Sequence, residues 1–204
     1  MALSIEEINK LKVAPVEGLM PALAHRWSPR AFSEAPVSAN DLKLILEAAQ
    51  WAASSGNSQP WRYFVGVKGS ETYTKIHGLL VDSNKIWATK PHVLILGVTA
   101  AKGGKGNPNP FALYDLGQSV VSLILQATAL GLATHSMGGF DREGAKSVFN
   151  LGEEYLVGAV IAVGHQAEPS SLPNETLQER ELATRQRKPL SEIALEALDK
   201  PLAL

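Results

Sequence analysis

The longest helical pattern in the chain is Ala112–Gly131, with the sequence ALYDLGQSVVSLILQATALG. Its polar side chains are few, and Asp115 is its only charged residue. A helix that is apolar on most sides has to be buried on most sides. In a chain of 204 residues, a subunit interface is one way to bury it. The segment therefore predicts a long helix that is covered on nearly every face.

Apolar runs typical of strands lie on both sides of this helix. Val93–Val98 and Val157–Val163 are nearly all apolar, as expected for central strands that are covered on both faces. Trp61–Val67 is aromatic and β-branched, and Leu132–His135 is a shorter candidate. These four runs predict the strands of one sheet.

Shorter amphipathic helices are predicted between and around the strands. Ser4 followed by Glu7 is a capping box, Ser38 followed by Asp41 resembles another, and Asp141 is a further helix cap. Apolar residues recur at helical spacing in two sets: Leu42, Ile45, Leu46 and Ala49, and then Tyr73, Ile76, His77 and Leu80. Strands that alternate with helices indicate a layered α/β or α+β fold, and the length indicates one domain over residues 1–204.

The composition excludes several classes of function. Lys and Arg number 19 and Asp and Glu number 20, so the net charge of −1 gives no positive field for unspecific nucleic-acid binding. The absence of cysteine excludes disulfides, thiolate-bound metals and cysteine nucleophiles, and no two histidines have zinc-ligand spacing. No signal-peptide pattern is seen, and the apolar runs are too short to cross a bilayer. We expect a cytoplasmic protein without a metal site, a nucleic-acid partner or a membrane segment.

Familiar nucleotide and hydrolase motifs are missing: there is no P-loop, no G-x-G-x-x-G after a strand and no G-x-S-x-G. Four other polar motifs stand out. The first is His25–Phe32 (HRWSPRAF). An extended backbone there places Arg26, Ser28 and Arg30 on one face, a row of donors suited to an anion or a polar ring edge. The alternative is a solvated turn that buries its two aromatic side chains.

The second and third motifs are rich in small residues. Ala53–Trp61 (ASSGNSQPW) offers amide donors and acceptors that suit the edge of a heterocycle, or it is an ordinary helix cap and turn. In His135–Asp141 (HSMGGFD), the paired glycines let a backbone N–H approach a ligand closely, and the helix that follows favours negative charge. The alternative there is a strand-to-helix connector that needs positive φ.

The fourth motif is the densest basic run of the chain, Arg185–Leu190 (RQRKPL). Three cations in four residues indicate a phosphate site, because guanidinium groups form forked, charge-assisted hydrogen bonds. A solvated basic surface is the alternative.

In this order, the four motifs resemble those of the nitroreductase family of FMN-dependent NAD(P)H oxidoreductases. The resemblance spans about residues 23–193. It implies an α+β fold, a three-layer α-β-α sandwich around a mostly antiparallel central sheet. It also implies an intertwined homodimer with two FMN molecules at the subunit interface. A C-terminal arm, from about residue 185 to 204, would then reach the partner subunit.

The resemblance further implies a set of FMN contacts. The set is Arg26, Trp27, Ser28 and Arg30 from the first motif, Ser54, Ser55 and Asn57 from the second, Gly138 and Gly139 from the third, and Arg185 and Arg187 from the fourth. The second-motif residues look like those given to the FMN of the other subunit. Trp27 occupies a position that contacts FMN through its backbone or makes no contact with FMN.

Individual roles follow from the same resemblance. Arg26 looks like a phosphate ligand, and Arg185 and Arg187 resemble the 5′-phosphate clamp, with Lys188 as a second choice of register. Arg30 looks like the residue that reaches the N1/O2 edge of the flavin, where a cation stabilises the anionic reduced ring. The Gly138–Gly139 turn resembles the one whose N–H meets flavin N5. Asn84 stands near a family asparagine that precedes the second strand.

The expected activity is ping-pong hydride transfer from NADH or NADPH to nitroaromatics, quinones or similar electron-poor acceptors, with no catalytic side chain because the flavin is the reactive group. The alternatives are dehalogenation, semialdehyde or enone reduction on the same scaffold, or a flavin-binding module without turnover. Trp87, Phe111 and Tyr114 are interpreted as core aromatics, with the wall of an acceptor pocket as the alternative.

Overall fold

The four apolar runs form one antiparallel sheet in the computed structural model, which describes residues 3–103 and 106–203. The strands are β1 (Trp61–Val67), β2 (Val93–Ala100), β3 (Ala133–Met137) and β4 (Tyr155–Gly164). Their order is β1-β2-β4-β3, so β2 and β4 are central and nearly every β2 side chain is buried. The two runs predicted as central strands are therefore confirmed.

Helices surround the sheet, and three of them begin at the predicted caps Ser4, Ser38 and Asp141. They are α1 (Ile5–Lys12), α2 (Pro21–His25), α3 (Ala39–Gln50), α4 (Glu71–Leu79), α5 (Asp82–Lys85), α6 (Ala112–Ala129), α7 (Arg142–Val148) and α8 (Glu175–Leu182). The capping box of α1 is present, since the Ser4 hydroxyl accepts from the Glu7 N–H while the Glu7 carboxylate accepts from the Ser4 N–H at 2.8 Å. Asp141 caps α7 by accepting from the Gly144 N–H at 2.8 Å.

Two hydrophobic cores lie on opposite faces of the sheet. On one face Ile95 and Ile161 of the central strands pack in a core with Ile45 of α3 and Leu123 of α6. On the other face the core holds further strand and helix residues: Leu94, Leu96, Val98, Val160 and Ala162 with Tyr73, Ile76 and Leu79 of α4 and Ala145 of α7. Because side chains alternate along a strand, each central strand supplies both cores. The predicted three-layer α+β sandwich is confirmed.

Helix α6 is only half covered within one chain, so the expectation of burial on most sides is wrong for a single subunit. Leu116, Leu123 and Ala127 face the core, whereas Leu113 and Val121 on the other side are exposed. The sequence pattern predicted that both faces of α6 are apolar, but it did not predict what covers the exposed face.

The three candidate aromatic residues also differ in how far they are buried. Trp87 is buried and stacks on Phe32 with ring centroids 6.1 Å apart, as expected for a core residue. Phe111 and Tyr114 are 50% and 67% exposed, so the interpretation of these two as core residues is wrong. They lie at the start of α6, where burial within one chain ends.

The chain beyond α8 is mostly exposed. It forms a short hairpin of β5 (Leu195–Ala197) and β6 (Lys200–Pro201), and nearly every residue from 186 to 203 is exposed. Within residues 3–103 and 106–203, no helix is long and apolar enough to cross a membrane, and no three His, Asp or Glu side chains are grouped as a metal site.

Candidate functional site

The first and fourth motifs, far apart in sequence, pack against each other. Arg185 donates through Nη1 to the carbonyl oxygen of Arg26, and also to that of Ala24 at 3.3 Å. Burial lowers the pKa of Arg26, and the positive charges of Arg185 and Arg187 lower it further. The structure thus gathers three of the predicted phosphate ligands into one arginine cluster, formed by Arg26, Arg185 and Arg187.

The arginine cluster has the properties of an anion site. In the described part of the chain, no carboxylate forms a salt bridge with Arg26 or Arg185. The Nε of Arg26 is buried and has no hydrogen-bond partner in the described part of the chain. A buried donor without a partner costs about 1–3 kcal/mol, and the three neighbouring positive charges repel one another. A phosphate accepts from several guanidinium groups at once, so the cluster fits one.

Lys188 has a different partner. Its Nζ lies 3.4 Å from the Glu192 carboxylate, four residues further along the chain, and both side chains are largely exposed. The lysine is engaged locally and on the surface. Arg187 is exposed as well, and its Nη1 donates to the carbonyl oxygen of Gln186 at 2.7 Å, so the clamp of Arg185 and Arg187 stays a prediction.

A buried carboxylate on α8 anchors the backbone of the first motif. The Glu181 side chain on α8 accepts from the backbone N–H of Arg30 at 3.0 Å and from that of Ala31 at 3.4 Å. Glu181 is only 1% exposed, and burial raises its pKa, opposed by the two N–H bonds and the charges of Arg30 and Lys12. Sequence reasoning missed Glu181, since nothing in its polar helix distinguishes it from the exposed Glu179.

His135 anchors the same stretch of backbone through the carbonyl group of Pro29. Its Nδ1 lies 3.0 Å from the carbonyl oxygen of Pro29, which places the donated proton on that nitrogen. Burial lowers the pKa of His135 to about 4, so the ring is neutral near pH 7. The ring also packs on Trp87, with centroids 4.7 Å apart. The carbonyl of Pro29 and the N–H groups that follow it therefore all have buried partners.

The Trp27 side chain faces α1. Its Nε1 donates to Oδ1 of Asn9 at 2.9 Å, and Nζ of Lys12 lies 4.6 Å from the ring centroid. The indole is thereby occupied within the chain. The predicted FMN contact of Trp27 is left to its backbone, while the neighbouring Ser28 side chain is exposed.

The second motif is anchored by another buried carboxylate. Both oxygens of Asp115, on α6, lie 3.2 Å from the backbone nitrogen of Ser55 and accept its N–H. Within the loop, the Gln59 N–H donates to Ser54 Oγ at 3.0 Å and the Gln59 side-chain amide donates to Asn57 Oδ1 at 3.1 Å. Ser54 Oγ and Asn57 Oδ1 are the acceptors in these bonds, so the Ser54 hydroxyl proton and the Asn57 amide protons stay available to a ligand.

The second motif is not hydrogen-bonded to the rest of the predicted site. In the described part of the chain, the bonds of Ser54, Ser55 and Asn57 stay within the loop or go to Asp115. Asp115, which anchors this loop, stands out in the sequence as the single charge of the long apolar helix. The sequence does not show that its partner is the Ser55 N–H.

The third motif packs closely against the start of α5. The Asn84 side-chain amide and the Val81 N–H both donate to the carbonyl oxygen of Gly139, at 3.0 and 3.1 Å. A Cβ on Gly139 would lie 3.0 Å from Asn84 Nδ2 and from Val81 Cγ2. Neither Gly138 nor Gly139 has positive φ, so the alternative of a connector that needs it is wrong. Space, rather than backbone conformation, favours glycine at 139, and Gly138 is exposed.

The helix after this motif contributes less than expected. The carboxylate of Asp141 occupies the start of α7, where it accepts the Gly144 N–H. The negative charge that this helix end favours is therefore supplied by the chain itself.

A model of the "Nitroreductase family" matches residues 23–81 and 77–165 of the chain, which is more than half of its length. The chain belongs to the nitroreductase family. The family membership expected from the four motifs is thereby confirmed, and the matched residues include the first three of them.

Individual proteins are similar to this chain over most of its length. A crystal structure described as "the oxidoreductase containing FMN" is 32% identical, with a TM-score of 0.86 over 99% of this chain and 100% of that one. An NADH dehydrogenase of Thermus thermophilus is 28% identical over 183 residues, or 76% of this chain and 89% of that one. An uncharacterised protein of Mycolicibacterium smegmatis is 31% identical over 141 residues, or 65% of this chain and 93% of that one.

Proposed function

We propose that this protein is an FMN-dependent oxidoreductase that takes a hydride from NADH or NADPH and passes it to a nitroaromatic, quinone or similar electron-poor acceptor. The observation that carries the proposal is the arginine cluster with its buried, unpaired Arg26 Nε, in a chain of the nitroreductase family. The FMN of one solved relative and the NADH named for another support the same cofactor and reductant.

The residues present fit FMN. Arg26, Arg185 and Arg187 would hold its phosphate, Arg30 its polar ring edge, and the Gly138–Gly139 backbone its central ring. When bound, FMN supplies the hydride chemistry in two half-reactions, the first with NAD(P)H and the second with the acceptor. No side chain of the site has to act as a general acid or base.

The chain itself contributes orientation and charge. Arg30 is half-buried, so its positive charge is less screened by water than on an open surface and favours added negative charge nearby. Glu181 and His135 fix the backbone that carries Arg30. Preorganised groups of this kind stabilise charge without reorganising during the reaction.

We also propose that the working form is a homodimer in which each subunit gives Ser54, Ser55 and Asn57 to the FMN of the other. Exposed apolar side chains on and near α6 support it, among them Trp51 at 86% and Tyr114 at 67% exposure. An apolar surface of this kind marks an interaction site. The single domain then has a C-terminal arm, from about residue 185 to 204, that reaches the partner, and nearly every residue from 186 to 203 is exposed and available for this contact.

The experiment is anaerobic reduction of the purified protein. We expect bound flavin with visible absorbance that NADH or NADPH bleaches and that a nitroaromatic or quinone restores. A panel that includes halogenated, enone and semialdehyde acceptors separates the other reactions of this scaffold. A flavin that neither nucleotide bleaches would identify a binding module without turnover, and a protein that takes up no FMN would overturn the proposal.

A further inference from the structure

Lys12, at the end of α1, is a buried lysine outside the part of the chain that the family model matches. The residue is only 3% exposed, and the matched part begins at residue 23. Lysine is almost never fully buried unless its charge is paired. The contacts of this ammonium group therefore indicate what the residue does.

The ammonium group joins the two chain segments that carry the arginine cluster. Its Nζ donates to the carbonyl oxygen of Ala183, two residues before Arg185. The same Nζ lies 4.6 Å from the ring centroid of Trp27, the residue that follows Arg26. One buried cation thus contacts both segments, each time within two residues of an arginine of the cluster.

The residues after α1 hold the same part of the molecule. The Ala14 N–H donates to the carbonyl oxygen of Ala24 at 3.0 Å, and Arg185 Nη1 donates to this same oxygen at 3.3 Å. Arg185 also donates to the carbonyl oxygen of Arg26. The distance between Arg26 and Arg185 is therefore set by backbone groups that α1 and the residues after it hold in place.

The charge of Lys12 has a buried counterpart. Burial lowers the pKa of Lys12, and the negative charge of Glu181 opposes this effect. Glu181 in turn accepts from the backbone N–H groups of Arg30 and Ala31, at 3.0 and 3.4 Å. The lysine therefore also lies near the carboxylate that anchors the first motif.

We propose that Lys12 is a positioning residue of the phosphate site, which holds Arg26 and Arg185 at the spacing that lets both bind one phosphate. It acts through the backbone of Ala183 and the ring of Trp27, without touching the ligand. A binding site whose supporting contacts are loose loses affinity even when all of its ligating groups are present. The inference rests on the proposed function, because the phosphate is that of FMN.

The test compares the binding of FMN with that of riboflavin, which lacks the phosphate, by calorimetry on the full-length, flavin-free protein. Lys12→Met keeps an unbranched side chain and removes the charge. We expect it to raise the FMN dissociation constant about tenfold and to leave that of riboflavin within about twofold. The ratio of the two affinities is the readout, because a general loss of stability weakens both ligands alike.

The chain offers a matched control on the same helix. Lys10 is exposed, and its Nζ pairs with the Glu6 carboxylate at 2.8 Å. Lys10→Met should leave both dissociation constants unchanged. An equal change of the ratio in Lys10→Met and Lys12→Met would overturn the inference.

Two further variants of Lys12 complete the test. Lys12→Gln keeps a hydrogen-bond donor without the charge, and it replaces Lys12→Met if that variant does not fold, with the same fall in the ratio expected. Lys12→Arg keeps a cation that can stack on an aromatic ring, so its ratio should lie closer to the wild type than to Lys12→Met. A wild-type ratio in both uncharged variants, or an equal weakening of both flavins, would overturn the inference.

The inference and the proposed function can fail separately. Normal turnover of NAD(P)H with a nitroaromatic, together with an unchanged ratio in the Lys12 variants, would overturn the role of Lys12 and leave the oxidoreductase in place. A ratio that falls in Lys12→Met, in a protein whose flavin NAD(P)H does not reduce, would support the positioning role and overturn the proposed activity.

Discussion

The carboxylate of Asp115 receives the backbone N–H of Ser55 symmetrically, with both oxygens 3.2 Å from the nitrogen. Glu181 does the same for the first motif, through the N–H groups of Arg30 and Ala31. Two polar loops predicted to contact FMN are thus each held by a carboxylate that is only 1% exposed. Buried charges are rare unless they are bonded, and here the bonds order the loops.

Replacing Asp115 by Asn should loosen the second motif. The amide keeps one acceptor but loses the charge, so we expect the free energy of unfolding to fall by about 1–2 kcal/mol and FMN to bind several-fold more weakly. Urea titration and flavin titration measure the two effects. Ser122→Ala is the control, because within the described residues its hydroxyl bonds only to the Gln118 carbonyl of the same helix. Equal FMN affinity in both variants would contradict a positioning role.

Glu181→Ala should be the more damaging change. It leaves the N–H groups of Arg30 and Ala31 without their acceptor and removes the negative charge near buried Lys12. We expect a loss of about 2–4 kcal/mol in the free energy of unfolding, with a smaller loss in Glu181→Gln, which keeps an acceptor oxygen. Glu179→Ala, exposed on the same helix, should change stability by less than about 0.5 kcal/mol. Similar effects of the three changes would refute the anchoring role of Glu181.

His135 should make the fold sensitive to mild acid. Its pKa falls from 6.5 to about 4 on folding, so between these values the unfolded chain binds a proton that the native state does not. Stability is therefore full above pH 6.5 and declines as the pH falls toward 4. Between pH 7 and pH 5 this amounts to about 2 kcal/mol.

The measurement is urea unfolding of wild type and His135→Gln at pH 7 and pH 5. The variant should lose less stability than the wild type over this interval, by about 2 kcal/mol. His25→Gln removes an exposed imidazole and is the matched control. A pH dependence that is the same in wild type and His135→Gln would show that His135 is not held neutral.

The arginine cluster should determine cofactor affinity by charge. Arg185→Gln and Arg187→Gln each remove charge-assisted bonds to phosphate, and we expect FMN to bind about 10- to 100-fold more weakly in each. Lys188→Gln should change the affinity by less than about threefold, because Lys188 is an exposed partner of Glu192. The opposite order, with Lys188 as the strongest of the three, would shift the clamp by one register.

Local signals predicted most of the fold. The bounds of β1, the Ser4 and Asp141 caps and the period of α3 follow from side chains a few residues apart, which is why sequence alone locates them. The central strands were visible as unbroken apolar runs because both of their faces are covered.

Long-range packing explains what the sequence could not provide. Glu181 reaches Arg30 across 151 residues, and its burial depends on how α8 packs against α1 and the first motif. The exposed face of α6 is a second example. The sequence shows that Leu113 and Val121 are apolar, but it does not show what covers them. The meeting of Arg26 with Arg185 was implied by family resemblance, and no local rule predicts it.

The central claim is that Arg26, Arg185 and Arg187 form a phosphate site for FMN, and the most direct test is calorimetric titration of the flavin-free protein with FMN and with riboflavin, which lacks the phosphate. The account predicts one FMN per chain, with riboflavin bound about 100-fold more weakly or worse. It also predicts that Arg185→Gln brings the two affinities closer together. Equal affinity for FMN and riboflavin in the wild-type protein would contradict it.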